Sequence, residues 1–110
     1  MRVPTVDVTE LPEDAVLLDV REDDEWAAGH IEGAQHVPMN RVPQHVAYGD
    51  ALPADRPIVV ICKVGGRSAQ VTAWLNQQGY DAANLDGGML AWASAGRPMV
   101  SSDGAQPYVY

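Results

Sequence analysis

The chain has 110 residues, 46% of them hydrophobic and 20% charged, which suits one globular domain with a single core and is too short for two. Fifteen acidic residues against seven lysines and arginines give a formal net charge of -8 at pH 7, and such a surface repels a phosphate backbone, so no nucleic-acid partner is expected. One cysteine excludes an intramolecular disulfide and an all-cysteine metal site, leaving either a reduced protein or a carrier of one special thiol.

Met1-Arg2-Val3-Pro4 leads into Asp7 and Glu10 without the apolar stretch of a signal peptide, and the longest aliphatic run, Ile58 to Ile61, is far below membrane-spanning length. A cytoplasmic protein without membrane contact is expected. No repeat or low-complexity block interrupts an alternation of short apolar runs with helical patches, which is an α/β pattern. Residues 1 to 110 are read as one domain, with its core over about residues 5 to 100.

Ala15 to Val20 reads as a buried strand, preceded by Pro12 and ended by the cluster Arg21-Glu22-Asp23-Asp24-Glu25. Asp23 or Asp24 then caps a short helix through Trp26 and Ala28, which Gly29 stops. Ala34 to Val37 is a short strand closed by Pro38. Asn40 is the expected N-cap of a helix over Val42 to Tyr48, with Pro43 in its first turn and Gly49 at its end.

After a loop with Pro53 and Pro57 comes Ile58 to Ile61, β-branched and apolar at every position, as suits a central parallel strand covered on both faces. Beyond Arg67 the pattern turns helical: Val71, Trp74 and Leu75 fall at i, i+3 and i+4, and Gly79 is placed as C′. Tyr80 to Leu85 is a weaker strand, Gly87-Gly88 a turn, and Met89 to Ala95 a short helix ended by Gly96 and Pro98. Ser101 to Tyr110 is a loose tail or a strap over the surface.

This order puts Cys62 at the carboxyl end of the central strand, where open α/β sheets bind ligands. A cysteine ending an apolar strand is, taken alone, ordinarily a small core residue. Here Lys63-Val64-Gly65-Gly66 hands over at once to a helix beginning near Arg67-Ser68. Glycines allow successive N–H groups to turn inward as a concave nest, and the helix start adds partial positive charge, with full charges from Arg67 and Lys63. The same field favours thiolate over thiol, so Cys62 is expected to have a lowered pKa and to act as a nucleophile. Lys63 either attracts an anionic donor or is a solvated surface lysine.

His30, His36 and His45 form no i, i+4 pair on one predicted helix, and no second ligand type clusters with them, so neither metal nor cofactor is assigned. His30 is read as a hydrogen-bonded turn residue and the other two as surface residues. Glu22 to Glu25 read as a solvated charge cluster. Gly87-Gly88 is too short for a phosphate loop, and Trp26, Trp74 and Trp92 are assigned to packing.

The segment Cys62-Lys63-Val64-Gly65-Gly66-Arg67-Ser68 resembles the active-site loop of single-domain rhodaneses. "LLDVRE" at 17 to 22, "GHIEGAQHVP" at 29 to 38, "LDGGMLAW" at 85 to 92 and "AGRP" at 95 to 98 match in the family's order. The resemblance implies a rhodanese-like α/β fold, with a central, mostly parallel sheet of about five strands flanked by helices on both faces. It implies a thiosulfate sulfurtransferase in which Cys62 takes the sulfane sulfur of thiosulfate or a similar donor, becomes a persulfide, and yields the sulfur to cyanide or a thiol. The loop Lys63, Val64, Gly65, Gly66, Arg67 and Ser68 is then the anion cradle, with Arg67 structuring it and favouring the anion. Asp19, Arg21 and His30 support that loop and the "GHI" turn.

Small-molecule donors and acceptors are the implied partners, and a protein could also donate or accept the sulfur. Two other readings remain. Cysteine-dependent phosphatases and arsenate-handling enzymes separate their cysteine and arginine by five residues, whereas four stand between Cys62 and Arg67, a cradle better matched to one sulfur than to a tetrahedral oxyanion. Non-catalytic docking or sensing modules of rhodanese type commonly lack the cysteine or the arginine, and this chain has both.

Overall fold

The computed structural model describes residues 3–48 and 52–110. In chain order its elements are β1 (Thr5–Val6), β2 (Val16–Asp19), α1 (Asp23–Ala28), β3 (Gln35–His36), a 3-10 turn (Met39–Arg41), α2 (Val42–Tyr48), β4 (Ile58–Ile61), α3 (Gly66–Gln77), β5 (Ala82–Leu85) and α4 (Gly88–Ser94). The strands make one sheet in the order β1-β5-β4-β2-β3, and every neighbouring pair is parallel.

β4 is the central strand because its side chains have two apolar faces to fill. Ile58, Val60 and Cys62 point into one core with Val42 of α2 and Val71 and Leu75 of α3. Val59 and Ile61 point into the other with Leu85, Ile31, and Met89 and Trp92 of α4. Each such side chain contributes about 1.5–3 kcal/mol by leaving water, and the demand from both sides explains a run with no polar alternation. Helices thus cover both faces of the sheet.

Several boundaries follow from local chemistry. α3 ends in a Schellman arrangement: Gly79, at φ +95°, donates its N–H to the Asn76 carbonyl at 3.2 Å, and Tyr80 donates to Leu75 at 3.1 Å. At α1 the expected cap is displaced by one residue. Glu22 is the N-cap, its N–H held by the Glu25 carboxylate at 3.0 Å, and Asp23 and Asp24 lie inside the first turn. Asn40 does not cap α2 either, because the 3-10 turn runs directly into that helix and leaves no free first turn at Asn40. Gly49, the expected end of α2, lies outside the described residues.

β1 was not legible as a strand. It holds the edge of β5 together with Pro4, just before it: Asn84 donates its N–H to the Pro4 carbonyl at 2.8 Å and Asp86 to the Val6 carbonyl at 2.9 Å, an interaction with no local pattern to announce it. The C-terminal residues form a strap. Ser102 donates to Ala27 at 3.0 Å, Tyr108 donates to Ala28 at 3.1 Å, and Val109 packs against the second core. Gly29 permits that approach, since a Cβ there would stand 2.4 Å from the Tyr108 carbonyl oxygen. Among the described residues, no helix is long and apolar enough to cross a membrane.

The turn after β2 is built on a buried ion pair. The Arg21 side chain is 0% exposed and that of Asp19 1%. The guanidinium donates to the Asp19 carboxylate at 2.7 Å and 3.0 Å, to the Gly29 carbonyl at 2.8 Å and to the Glu25 carbonyl at 3.3 Å. Such a pair is stabilising only while both partners remain, so Arg21→Ala is expected to cost about 3–5 kcal/mol by stranding a buried carboxylate. Urea denaturation measures this, and a loss below about 1 kcal/mol would contradict the role given to the pair.

Candidate active site

β4 delivers Cys62 at its carboxyl end, and α3 begins four residues later. The thiol is 1% exposed. Gly65, the N-cap of α3, takes φ +108°, a conformation that strains other residues, and so aims its N–H at Sγ over 3.0 Å. The Ser68 hydroxyl, from the first turn of α3, lies 3.1 Å from the same sulfur. Burial pushes the thiol pKa up. The Ser68 hydroxyl and the backbone N–H groups of Ser68, Gly65 and Val64 outweigh that, and the pKa falls below the usual thiol value.

The loop's carbonyls are turned away from the sulfur and held from behind. Cys62 and Lys63 carbonyls accept the N–H groups of Met89 and Leu90 at 2.9 Å and 3.1 Å, so the first turn of α4 is satisfied by the loop itself. Gly88 makes this contact possible: a Cβ there would come within 2.3 Å of the Cys62 oxygen and 2.6 Å of the Lys63 oxygen. The glycine pair read as a turn is therefore the docking point of α4 on the cysteine loop.

Arg67 reaches across to α1. Its Nη1 and Nη2 donate to Glu25 Oε1 and Oε2 at 2.7 Å and 2.9 Å, a two-pronged pair that joins α3 to α1. The Arg67 guanidinium holds the Glu25 carboxyl at about 2, far below its ordinary 4.5, even though burial acts in the opposite direction. Glu25 is thus a buried partner of the loop and not part of a solvated cluster, because the end of α1 is pulled in by Arg21. Arg67, expected to structure the loop, ties the start of α3 to α1. The anion-favouring share assigned to it falls mainly to the Ser68 hydroxyl and the backbone amides.

Asp19 lies in β2 beside Ile61, the residue before Cys62, and Arg21 is linked to the cysteine loop through α1 and Glu25. His30 is a turn residue, with Nδ1 2.7 Å from the Trp26 carbonyl and its backbone paired to Val100. His36 and His45 are half-buried, not surface residues. His36 stacks on Trp26, as His30 does, and its Nε2 lies 2.8 Å from the Arg21 carbonyl, because the end of β3 abuts α1. Trp92 is buried and Trp74 packs against the core. Lys63 is half-buried and forms no ion pair among the described residues, while Val64 forms the exposed tip of the loop.

Two site residues escaped the sequence reading. Glu25 lay hidden in an acidic run. Asn84, 8% exposed in β5, donates from Nδ2 to the Gly65 carbonyl at 3.1 Å and accepts from the Ser68 hydroxyl at Oδ1. The available signal was a polar residue inside an apolar strand, since buried polar groups are nearly always paired.

Residues 6–95 match the family described as Rhodanese-like domain. A sulfurtransferase of Allochromatium vinosum is 42% identical over 93 residues, which cover 84% of this chain and 84% of that protein. The thiosulfate sulfurtransferase GlpE of Pseudomonas fluorescens is 37% identical over 93 residues, covering 84% and 83% of the two chains. Among solved structures, a rhodanese-related protein of Thermoplasma volcanium superposes with a TM-score of 0.81 at 29% identity, over 88% of this chain and 97% of that one.

The Glu25–Arg67 pair links stability to acidity. A carboxyl held at about 2 contributes fully above its ordinary 4.5 and loses that contribution as pH falls from about 4.5 towards 2. Solvent reaches Arg67, whose side chain is 36% exposed, and screens the pair. Glu25→Gln is therefore expected to cost only about 1 kcal/mol at neutral pH. Thermal melts across the acid range should show the gap to wild type closing as pH falls, and a gap that stays constant would refute the linkage.

Proposed function

The chain belongs to the rhodanese-like family, and on that premise we propose that it is a sulfurtransferase moving a sulfane sulfur from thiosulfate or a similar donor, through Cys62, to cyanide or a thiol. The observation that carries the reading is the Cys62 sulfur itself, buried yet met by the Gly65 amide and the Ser68 hydroxyl at the start of α3. That arrangement favours the thiolate, and hence a nucleophile, over the thiol.

Cys62 thiolate attacks the outer sulfur of thiosulfate. A new S–S bond forms, the bond to the sulfite sulfur breaks, and its electron pair leaves with sulfite. A Cys62 persulfide anion remains, and its terminal sulfur, now carrying the charge, lies in the nest of loop amides, which need little reorganisation to receive it. Cyanide or a thiolate then attacks that sulfur and expels the Cys62 thiolate. With one cysteine in the chain, an acceptor thiol must come from another molecule. The cytoplasm, where thiols stay reduced, suits this chemistry.

The four residues between Cys62 and Arg67 and the bond from Arg67 to Glu25 favour sulfur over phosphate. A phosphatase needs its arginine over the cysteine to take two oxyanion oxygens, and here that guanidinium is already engaged. A docking module has no need of donors gathered around a sulfur.

Intact-protein mass spectrometry after incubation with thiosulfate is expected to show a gain of one sulfur in wild type and none in Cys62→Ser. Cyanide should then remove the gain as thiocyanate appears. A folded wild-type protein with a reactive thiol and no gain would overturn the thiosulfate reading, and full turnover by Cys62→Ser would overturn the nucleophile.

A further inference from the structure

Beneath the nucleophile lie two buried polar side chains in line, Ser68 and Asn84. Ser68 is wholly buried, and its Oγ lies 3.1 Å from Cys62 Sγ and 2.5 Å from Asn84 Oδ1. A hydroxyl has one proton and can donate it to only one of these acceptors at a time. Asn84 cannot yield by turning over, because its Nδ2 is engaged by the Gly65 carbonyl at 3.1 Å and so Oδ1 must face Ser68. The sulfur and the amide oxygen compete for one proton.

We propose that Asn84 is a positioning residue for the nucleophile: it holds the Ser68 hydroxyl proton whenever Cys62 Sγ carries no charge, and gives it up when Sγ ionises. In the thiol form, Cys62 S–H donates to Ser68 Oγ, and Ser68 O–H donates to Asn84 Oδ1. On ionisation the thiol proton leaves to water, and the Ser68 hydroxyl rotates to donate to the thiolate. No proton passes between the side chains; one hydroxyl changes partner.

Resting on the sulfur-transfer reading, the device has a further use. In the persulfide the charge sits on the terminal sulfur, and the bridging Sγ is a weak acceptor, so the hydroxyl returns to Asn84. The competition keeps the thiolate less stabilised, and hence more nucleophilic, than an undivided hydroxyl would leave it. It also favours the loaded state, in which both Asn84 and the terminal sulfur have their donors.

The test is a double-mutant cycle read by the pH profile of Cys62 alkylation with iodoacetamide, in wild type, Ser68→Ala, Asn84→Ala and the double variant. Ser68→Ala is expected to slow alkylation at neutral pH about tenfold and to move the midpoint up, the loss of one hydrogen bond to a charged atom. Asn84→Ala should move the midpoint down and speed alkylation below it. In the Ser68→Ala background, removal of Asn84 should leave the profile unchanged. If Asn84→Ala raises the midpoint, or shifts it equally in both backgrounds, Asn84 acts through the Gly65 carbonyl alone and the proposal falls. Should Asn84→Ala fail to fold, Asn84→Leu keeps the volume, lacks the acceptor and carries the same expectations. Alkylation needs no sulfur donor, so the cycle decides the role of Asn84 even if thiosulfate does not load the enzyme.

Discussion

The Cys62 sulfur sits at the end of a strand with no exposed face, and an anion there has to be held by donors that the fold itself supplies. Removing a charge from water is expensive, and burial alone would keep the thiol protonated. A neighbouring arginine could offset this, but the one arginine of the loop is tied to Glu25. Dipoles do the work instead: the Gly65 amide, the Ser68 hydroxyl and the first turn of α3. On the proposed sulfur transfer, in which charge moves from one sulfur to the next, a concave set of amides serves either atom without breaking an ion pair.

Aiming amides at the sulfur requires that the matching carbonyls point elsewhere and be satisfied there. α4 accepts that task through Met89 and Leu90, and Gly88 exists to let it come close. The second support crosses the switch point of the sheet, where the chain leaves β2 for β3 on one side and returns to β4 on the other. Asp19 holds Arg21, Arg21 holds the end of α1, and α1 presents Glu25 to Arg67. The C-terminal strap then closes over α1 at Ala27 and Ala28. A change in any of these elements reaches the sulfur through the loop's shape and not through direct contact.

What could be read from the sequence was whatever has a local pattern. β4 announced itself by four β-branched residues in a row, α3 by its apolar spacing and by Gly79, and the candidate site by a cysteine, two glycines and a helix start in succession. What escaped depends on pairing across distance. β1 is two residues long and is a strand only because β5 lies beside it. Glu25 lies 42 positions from Arg67 and is indistinguishable, in the chain, from Glu22 to Asp24. Asn84 lies 16 positions from Ser68, and only the stack of β5 on α3 brings them together. His36 was misplaced for the same reason, since its stacking on Trp26 and its contact with the Arg21 carbonyl come from elements distant in the chain.

A net charge of -8 and an anionic sulfur donor are compatible once distance is considered. At physiological ionic strength the field of an exposed charge decays over about 8 Å, well inside the size of this molecule, so most surface carboxylates are not felt at the cradle. The molecule has a radius of gyration of 12.9 Å. What a donor meets on arrival is local: Lys63 without an ion partner among the described residues, the inward amides and the N-terminus of α3. Arg67 adds little attraction because Glu25 balances it. Lys63 is the full charge of the loop without an ion partner among the described residues, and on the proposed reading it draws a dianion in while the neutral dipoles hold the sulfur once it has arrived. On the proposed reading, dividing the two tasks in this way lets the cradle release a charged product such as sulfite, which no fixed guanidinium retains.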